Sequence, residues 1–284
     1  MISDGTFLYG MTNTGGANDS GTIFKIKPDG TGYSKLLDFS GSANGSSPRG
    51  SLISDGTFLY GTTYRGGAND SGTVFKIKPD GTGYLKLLDF SGFANGSYPL
   101  CTLISDGTFL YGATYNGGAN YLGTIFKIKP DGIAFSTLLN FSGVTDGSYP
   151  LGSLYLDGTF LYGTTYQGGT NNLGTIFKIK PNGTSYSKLL DYAGITNGSY
   201  PFCSFISDGT FLYGMTFQGG INDLGTLFKI MPDGTSYSKM LDFAGSSNGT
   251  YPVSSLITDN ILSLIHISEP TRLRRISYAV FCLK

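Results

Sequence analysis

The chain of 284 residues has no tryptophan, one histidine and few charged residues, which make up 13% of the sequence. No apolar run is long enough to cross a membrane as a helix, so we expect no membrane insertion. No stretch combines a basic start, an apolar core and a small-residue cleavage site, as a secretory signal does. Glycine is frequent but follows no three-residue period, which excludes a collagen-like chain.

The single His, the single Glu and most of the arginines lie in residues 262–284, which resemble nothing before them. One back-translation of LSLIHISEPTR, residues 262–272, spells the transposase adapter of sequencing libraries. ISYAVFCL, residues 276–283, likewise spells the flow-cell primer that follows it, and the residues between them fit an index. We therefore interpret 262–284 as a non-native, adapter-derived tail without structure. The alternative is a basic amphipathic tail at a membrane surface.

Without that tail the chain has no His, no Glu and a small excess of Asp over Lys and Arg. General acid–base catalysis most often uses His, and a Ser-His-Asp or Cys-His centre requires one. No basic patch remains for nucleic acid. The two remaining arginines, Arg49 and Arg65, are too few for the arginine cluster of a sialidase-type propeller. We therefore predict no catalytic residues, no cofactor and no nucleic-acid partner.

What the chain does contain is a repeat with a period of 51 residues. The second copy starts with LISDGTFLYGTTYRGG at Leu52, and the others start at Met1, Leu103, Leu154 and Phe205, with a partial sixth at Leu256. Self-similarity at this period is typical of propellers and solenoids. We predict one tandem-repeat domain over residues 1–261, with five full repeats and a truncated sixth.

Each copy predicts four short strands, which in the second copy are SLI (51–53), TFLYGTTY (57–64), GTVFKIK (72–78) and YLKLLDF (84–90). Asp55–Gly56 indicates a two-residue hairpin turn, because both residue types tolerate positive φ. Pro79–Gly81 indicates a tight hairpin with a bulge. GGANDSG (66–72) and FSGFANGSYP (90–99) are longer polar loops.

The second strand has apolar, aromatic or β-branched residues on both faces, with Tyr60 on one and Leu59 on the other. A strand covered on both faces needs a sheet packed on each side. We therefore predict an all-β fold, a β-propeller-like array of four-stranded blades that forms an incomplete propeller. Gly61 would leave room for a neighbouring backbone. A β-solenoid is the alternative, but its strands are not joined by hairpins.

Candidate ligand-binding residues follow strand two, where the copies differ. They are Tyr64, Arg65, Tyr115, Asn116, Tyr166, Gln167, Phe217 and Gln218. Aromatic rings beside amides and Arg bind sugars or protein surfaces, and the positions lead into the GG loop, so we expect them near one rim. The alternative is that the rings pack between blades. The loop tips at Phe93, Val144 and Ile195 are a second candidate surface.

The remaining reactive side chains have structural interpretations. Most Asp residues lie in DG and PDG turns, where Asx side chains bond their own backbone. The ANDSG loops at Asn69 and Asp70 offer oxygen ligands for calcium but lack the pattern of a dedicated calcium loop, so we predict no metal site. Cys101 and Cys203 occupy one repeat position in non-neighbouring blades, too far apart for a disulfide, and are predicted to be small core residues.

The phrase LYGTTYRGGANDSGTVFKIKPDGT, followed by LLDFSG and NGSYP, resembles the Gloeo_Verruco tandem repeat over all five copies. The resemblance implies a bacterial secreted or surface-anchored protein, a propeller-like array, export and a variable C-terminal anchor, but no activity. The strand order is also similar to Kelch repeats, although the Kelch Trp is missing.

Two functions are compatible with these observations. The first is a non-catalytic extracellular or cell-surface scaffold or binding module for a protein or a carbohydrate, with the residues after strand two as its surface. The second is a propeller enzyme of the hydrolase or lyase type that uses Asp, Tyr or Lys near the central channel. The lack of His and Glu favours the first.

Overall fold

A computed structural model describes residues 1–257, which form 21 short strands and no helix. The strands make five antiparallel sheets in which four equivalent strands recur 51 residues apart, and the fifth sheet has one additional strand that pairs with its strand two. No helix in this part of the chain could cross a membrane. The proposed adapter-derived tail, residues 262–284, lies outside the described residues.

Each sheet is one blade, and its strands are numbered along the chain. The first blade contains β1 (Ile2–Ser3), β2 (Leu8–Thr12), β3 (Thr22–Ile26) and β4 (Ser34–Asp38). The second contains β5 (Ile53–Ser54), β6 (Leu59–Thr63), β7 (Thr73–Ile77) and β8 (Leu85–Asp89). The third contains β9 (Ile104–Ser105), β10 (Leu110–Thr114), β11 (Thr124–Ile128) and β12 (Ser136–Asn140). The fourth contains β13 (Tyr155–Leu156), β14 (Leu161–Thr165), β15 (Thr175–Ile179) and β16 (Ser187–Asp191). The fifth contains β17 (Ser199–Pro201), β18 (Ile206–Ser207), β19 (Leu212–Gln218), β20 (Thr226–Ile230) and β21 (Ser238–Asp242).

The predicted four-stranded blade is confirmed, but the first turn is displaced. Ser54 pairs with Leu59, so the turn is centred on Gly56 and Thr57, one residue later than Asp55–Gly56. Gly56 has φ +89°, which a side chain would strain. The Asp55 carboxylate accepts hydrogen bonds from the N–H groups of Thr57 (2.8 Å) and Phe58 (2.7 Å). Asp therefore caps the turn from outside it, as an Asx turn does.

The second turn has the predicted geometry. Lys78 and Thr82 flank three residues, with the Lys78 N–H bonded to the Thr82 carbonyl and the Gly81 N–H bonded to the Lys78 carbonyl. Gly81 has φ +90°, the left-handed conformation that closes such a turn. Where β7 pairs with β8, the register shifts between Val74 and Phe75, which marks a β-bulge.

Consecutive blades share their hydrophobic clusters, as the strand patterns predict. Between the second and third blades, Tyr60, Val74 and Phe90 pack with Leu110 and Phe126. The rings of Phe90 and Phe126 meet edge to face with their centroids 5.2 Å apart. The same sharing recurs at the other junctions between described blades. Burial of one blade by the next is therefore the main source of stability.

Strand one is the inner edge of each blade. The backbone N–H of Thr102 donates to Ser153 Oγ at 2.9 Å, and that of Ser153 donates to Ser204 Oγ at 3.0 Å. The Ser51 N–H donates to Thr102 Oγ1 in the same way. Equivalent residues of consecutive blades can touch only where the blades converge, so these bonds run around the centre of the array.

The glycine of strand two serves its own blade rather than a neighbouring backbone, contrary to our expectation. A Cβ on Gly112 would lie 2.6 Å from Phe126 Cζ and 2.9 Å from Leu103 Cδ2. Gly112 is the cross-strand partner of Phe126, whose ring lies across it. The glycine is therefore required by a buried phenylalanine of the next strand.

The two cysteines among residues 1–257, Cys101 and Cys203, are unpaired and buried, as predicted. Cys101 and Cys203 alternate with smaller residues around the inner edge: a Cβ on Gly50 would lie 2.7 Å from the Cys101 carbonyl oxygen, and one on Gly152 would lie 2.5 Å from that of Cys203. Burial raises the pKa of the Cys101 thiol to about 12 and that of Cys203 to about 11. Both thiols are therefore protonated and poor nucleophiles.

The first blade differs from the others on one face. Leu8, Phe24 and Ile26 are half-buried, whereas their equivalents in the second blade, Leu59 and Phe75, are almost fully buried. No described residue covers that face as the first blade covers the second. At the other end, Leu256 is buried against the fifth blade.

Candidate functional site

The two ends of a blade carry different loops. Strand two begins at the DG turn and strand three ends at the PDG turn, so both turns lie at one end, here called the turn end. The GGANDSG and NGSYP segments lie at the opposite end, called the rim end. At the rim end the NGSYP segment joins the next blade, since Ser97 pairs with Asn116 and Ser148 pairs with Gln167.

The candidate aromatic residues lie at the rim end, and each pairs with a second ring. Tyr64 lies 5.1 Å from Tyr98 between ring centroids, and Tyr115 lies 5.0 Å from Tyr149. Two further pairs have the same geometry: Tyr166 with Tyr200 at 5.0 Å and Phe217 with Tyr251 at 5.1 Å. The rings of each pair are inclined by 32–36°.

These pairs follow one another around the inner edge. Partial burial raises the pKa of Tyr115, and the nearby phenol groups of Tyr149, Tyr166 and Tyr64 raise it further. Tyr64 and Tyr166 belong to the blades on either side of Tyr115, so successive pairs lie on neighbouring blades. We call this surface the aromatic belt, which consists of Tyr64, Tyr98, Tyr115, Tyr149, Tyr166, Tyr200, Phe217 and Tyr251. All of its rings are half-buried except that of Tyr251, which is 41% exposed.

The sequence analysis identified only half of the residues in the belt. Tyr98, Tyr149, Tyr200 and Tyr251 belong to the loop that precedes strand one. Each has a positive φ, such as +59° at Tyr98, which is uncommon for an aromatic residue. The signal that could have identified them is the repeated Tyr-Pro of GSYP and GTYP. The first copy has Ser47 instead, and Asn13 in place of the strand-two tyrosine, so the belt starts in the second copy.

The residues that follow the belt tyrosines use their backbones for structure and leave their side chains available. The Asn116 carbonyl accepts bonds from the Ser97 N–H and from Thr114 Oγ1. The Gln167 carbonyl accepts the equivalent bonds from Ser148 and Thr165. The side chains of Asn116, Gln167 and Gln218 are half-buried beside the belt, whereas Arg65 is exposed. Amides and a guanidinium thus border the rings.

Both arginines of the described chain meet at one aromatic pair. The Arg49 guanidinium carbon lies 4.1 Å from the Tyr64 ring centroid. Arg65 lies 5.7 Å from the same ring and 5.5 Å from that of Tyr98. Arg65 also forms an exposed ion pair with Asp70 at 3.1 Å. Sixteen positions separate the arginines in sequence, and backbone pairing of Ser46 and Ser47 with Arg65 and Tyr64 brings them together.

At the turn end, the Asp, Tyr and Lys side chains that an enzyme would need form hydrogen bonds within the protein. The Tyr60 hydroxyl donates to Asp55 Oδ2 at 2.7 Å, and the bond recurs in every blade. Burial raises the pKa of Tyr9 to about 12, and its bond to Asp4 adds to the effect. The strand-three lysine donates to a proline carbonyl of the next blade, as Lys76 does to Pro130 at 2.9 Å.

The ANDSG loops likewise use their oxygen and nitrogen atoms internally. Asp70 Oδ1 accepts the Gly66 N–H at 2.8 Å, and Asn69 Nδ2 donates to the Phe90 carbonyl at 3.1 Å. Ser71 Oγ donates to the Asn69 carbonyl. Residues 1–257 contain no group of three or more His, Cys, Asp or Glu side chains that could hold a metal ion. The loop atoms thus have the structural role of Asx turns.

The second candidate surface consists of exposed loop tips. Phe93 is 58% exposed, and Val144 and Ile195 are each 72% exposed. Phe93 contacts Tyr121, with ring centroids 5.8 Å apart. The tips are isolated apolar groups on separate blades, and single exposed apolar residues are common on protein surfaces. The belt is the better candidate because its rings are paired and recur at one position of four successive repeats.

Comparison with known proteins identifies a family and a fold. A family model described as the Gloeobacter/Verrucomicrobia repeat matches residues 1–159 and 101–264. No curated protein sequence matches the chain.

Solved structures of the propeller type are similar to the chain. A structure of the nidogen/laminin complex is 14% identical, with a TM-score of 0.55 over 89% of this chain and 82% of that chain. Oligogalacturonate lyase in complex with manganese is 13% identical, with a TM-score of 0.56 over 86% and 64% of the two chains. A domain described as extracellular, from a one-component system of B. thetaiotaomicron, is 13% identical, with a TM-score of 0.60 over 92% and 30%. At these identities the similarity establishes the β-propeller-like fold alone.

Proposed function

The chain belongs to the Gloeobacter/Verrucomicrobia repeat family, and from this premise we propose that it is a non-catalytic module whose aromatic belt binds a carbohydrate. The observation that supports this function most directly is the repetition of the ring pairs along the belt. Paired rings recur at the same inner-edge position in four successive repeats, with one half-exposed ring of each pair next to an amide or an arginine.

The chemistry of the belt suits a saccharide. Aromatic faces give flat apolar area at low conformational cost, against which the C–H faces of a sugar ring can lie. The hydroxyls of Tyr115 and Tyr166 have no hydrogen-bond partner among the described residues and remain available to a ligand. The side chains of Asn116 and Gln167 can donate to and accept from sugar hydroxyls. Each pair of rings would then contact one sugar unit of an oligosaccharide.

A propeller enzyme that uses Asp, Tyr or Lys is the alternative. The turn-end carboxylates, the phenols bonded to them and the strand-three lysines of the first four blades argue against it, because they have structural partners, as in Asp55 with Tyr60 and Lys76 with Pro130. Similar structures include both a protein complex and a lyase, so the fold does not separate the two functions. The engaged side chains favour binding.

We place the module at the cell surface or outside the cell. The family resemblance implies exported proteins, and one similar structure is an extracellular domain. Buried free cysteines are compatible with an oxidising compartment, since Cys101 and Cys203 are screened from each other and from solvent.

The decisive experiment is a glycan array with the full chain, followed by titration calorimetry on any saccharide retained. We expect the double substitution of Tyr115→Ala and Tyr166→Ala to weaken binding about tenfold or more, because a lost tenfold in affinity corresponds to about 1.4 kcal/mol, within the range of aromatic contacts. Tyr33→Ala is the matched control, since Tyr33 is 62% exposed, stacks on Phe24 and lies outside the belt.

Unchanged affinity in the double variant would mean that the rings only pack between blades. If the chain bound a protein but no saccharide, its ligand would be a protein instead of a carbohydrate. Conversion of a bound saccharide to product by the purified chain would establish the enzyme instead.

A further inference from the structure

The belt is not uniform, because its positive charge is concentrated at one pair. Arg49 and Arg65 are the only arginines among the described residues, and both lie on the Tyr64 ring. We call Arg49, Tyr64, Arg65 and Tyr98 the arginine station. The positions equivalent to Arg49 in later repeats are Leu100, Leu151, Phe202 and Val253, and those equivalent to Arg65 are Asn116, Gln167 and Gln218. Every other pair of the belt is therefore neutral.

The geometry of the station orients the arginine side chains so that they can bind an anion. The Arg49 guanidinium lies over the Tyr64 ring at 4.1 Å. Stacking on an aromatic face orients the planar guanidinium and leaves its in-plane N–H donors free for a carboxylate. The two guanidinium carbons lie at most about 10 Å apart, the sum of their distances to the Tyr64 centroid. The two positive charges therefore lie close enough to act on one acidic ligand.

The charge on the station is poorly neutralised by the protein itself. No carboxylate among residues 1–257 lies within ion-pair distance of Arg49. Arg65 pairs with Asp70, but the two side chains are 51% and 63% exposed, and such surface pairs contribute little to stability. Arg65 can therefore exchange Asp70 for a ligand carboxylate at small cost.

We propose that the arginine station binds the carboxylate of a uronic acid within an acidic saccharide, which narrows the ligand class and rests on the proposed carbohydrate function. Neighbouring neutral sugars of the same saccharide lie along the Tyr115 and Tyr166 pairs. A saccharide is favoured over an acidic peptide because the charged station is continuous with neutral rings and amides, which suit a chain with a charge on some of its units.

The test compares an oligosaccharide of neutral sugars that carries a single uronic acid with the methyl ester of the same oligosaccharide, using the full chain and calorimetric titration. We expect wild type to bind the acidic oligomer about tenfold more tightly, and rising salt to remove this preference. Arg49→Gln should abolish the preference, so that the acidic oligomer binds no more tightly than the ester. Lys78→Gln is the matched control, because it removes an equal charge from an exposed site at the turn end of the same blade.

The outcomes separate this inference from the function on which it rests. If both oligomers bind wild type equally and Arg49→Gln changes neither affinity, the carboxylate assignment is wrong and the carbohydrate function stands. If neither oligomer binds but other saccharides do, the uronic-acid assignment is also wrong. Binding of poly-glutamate in place of any saccharide would overturn both.

Discussion

Two tyrosines of the same strand, four residues apart, have opposite environments. Tyr111 lies in the half of β10 nearer the turn end and is 1% exposed. Its hydroxyl donates a hydrogen bond to Asp106 Oδ2 at 2.7 Å. Tyr115 follows the rim end of that strand, is half-buried, and its hydroxyl has no partner among the described residues. The first kind of tyrosine is present in all five repeats, whereas the second is replaced by Asn13 and Phe217 in two of them.

This difference shows at which end of the blade the side chains stabilise the fold. At the turn end, each polar side chain completes a hydrogen bond that the next blade or the turn needs, so its identity is constrained. At the rim end near the axis, the backbone completes those bonds instead, through pairs such as Ser97 with Asn116. The rim side chains are therefore free to differ from blade to blade.

We expect the largest effect on stability when Tyr111 and Tyr115 are each replaced by alanine. Tyr111→Ala should lower the free energy of unfolding by about 3–5 kcal/mol, the cost of removing a fully buried aromatic residue. Tyr115→Ala should lower it by about 1 kcal/mol, because its ring is half-exposed and loses mainly the contact with Tyr149. Urea unfolding followed by tyrosine fluorescence would measure both. Equal losses would abolish the distinction between the two ends.

The next effect concerns the carboxylate that holds Tyr111. Asp106→Ala should cost about 2 kcal/mol, because it leaves the buried Tyr111 hydroxyl without an acceptor and uncaps the turn. Asp131→Ala, in a PDG turn where the carboxylate accepts one backbone N–H, should cost less. The same unfolding assay applies, and a larger loss for Asp131→Ala would contradict the assignment.

The turn-end carboxylates also predict how stability depends on pH. Partial burial opposes ionisation of Asp106, but the Phe109 N–H, the Tyr111 hydroxyl and the Thr108 N–H together lower its pKa below the usual value. A pKa that is lower in the folded state adds stability above the unfolded value of about 4, and that stability is lost as pH falls below it. Asp106→Asn should therefore reduce the acid sensitivity of the unfolding midpoint.

The smallest effect comes from a third kind of tyrosine, which is buried but has no partner. Tyr192 is fully buried, its hydroxyl has no hydrogen-bond partner among the described residues, and the equivalent positions hold Phe39, Phe90, Phe141 and Phe243. Tyr192→Phe should raise the free energy of unfolding by about 1 kcal/mol, since a buried unpaired hydroxyl is costly.

The reverse change, Phe141→Tyr, serves as the control for Tyr192 and should lower the free energy of unfolding by a similar amount. Loss of stability in Tyr192→Phe would show that the hydroxyl is bonded after all.

Much of the fold could be predicted because its signals are local. Pro79 and Gly81 dictate their turn through their own backbone preferences, and alternating apolar residues dictate strands covered on both faces. The error at Asp55 was of one residue, because Asp caps the turn with its side chain rather than occupying its centre. The role of Gly61 was misassigned because the Phe75 ring that covers it comes from the paired strand.

Of the candidate site, the sequence identified one ring in each pair. Tyr64, Tyr115, Tyr166 and Phe217 stood out because they vary next to a constant strand. Tyr98 and its equivalents did not, because they belong to another part of the repeat, which backbone bonds to Ser71 and to the following blade hold beside the belt. Nothing in the spacing of Arg49 and Arg65 indicated that they share one ring.

The amino-acid sequence alone determined the repeat, its hairpins and its need for stacked neighbours, since these follow from backbone preferences and from apolar surface that a single blade cannot bury. The tertiary structure decided which side chains of different blades meet. Rotation of successive blades about a common axis brings residues distant in the chain to the same inner edge, where Arg49, Arg65 and Tyr98 surround Tyr64. That convergence depends on the angle between blades, which no local preference encodes.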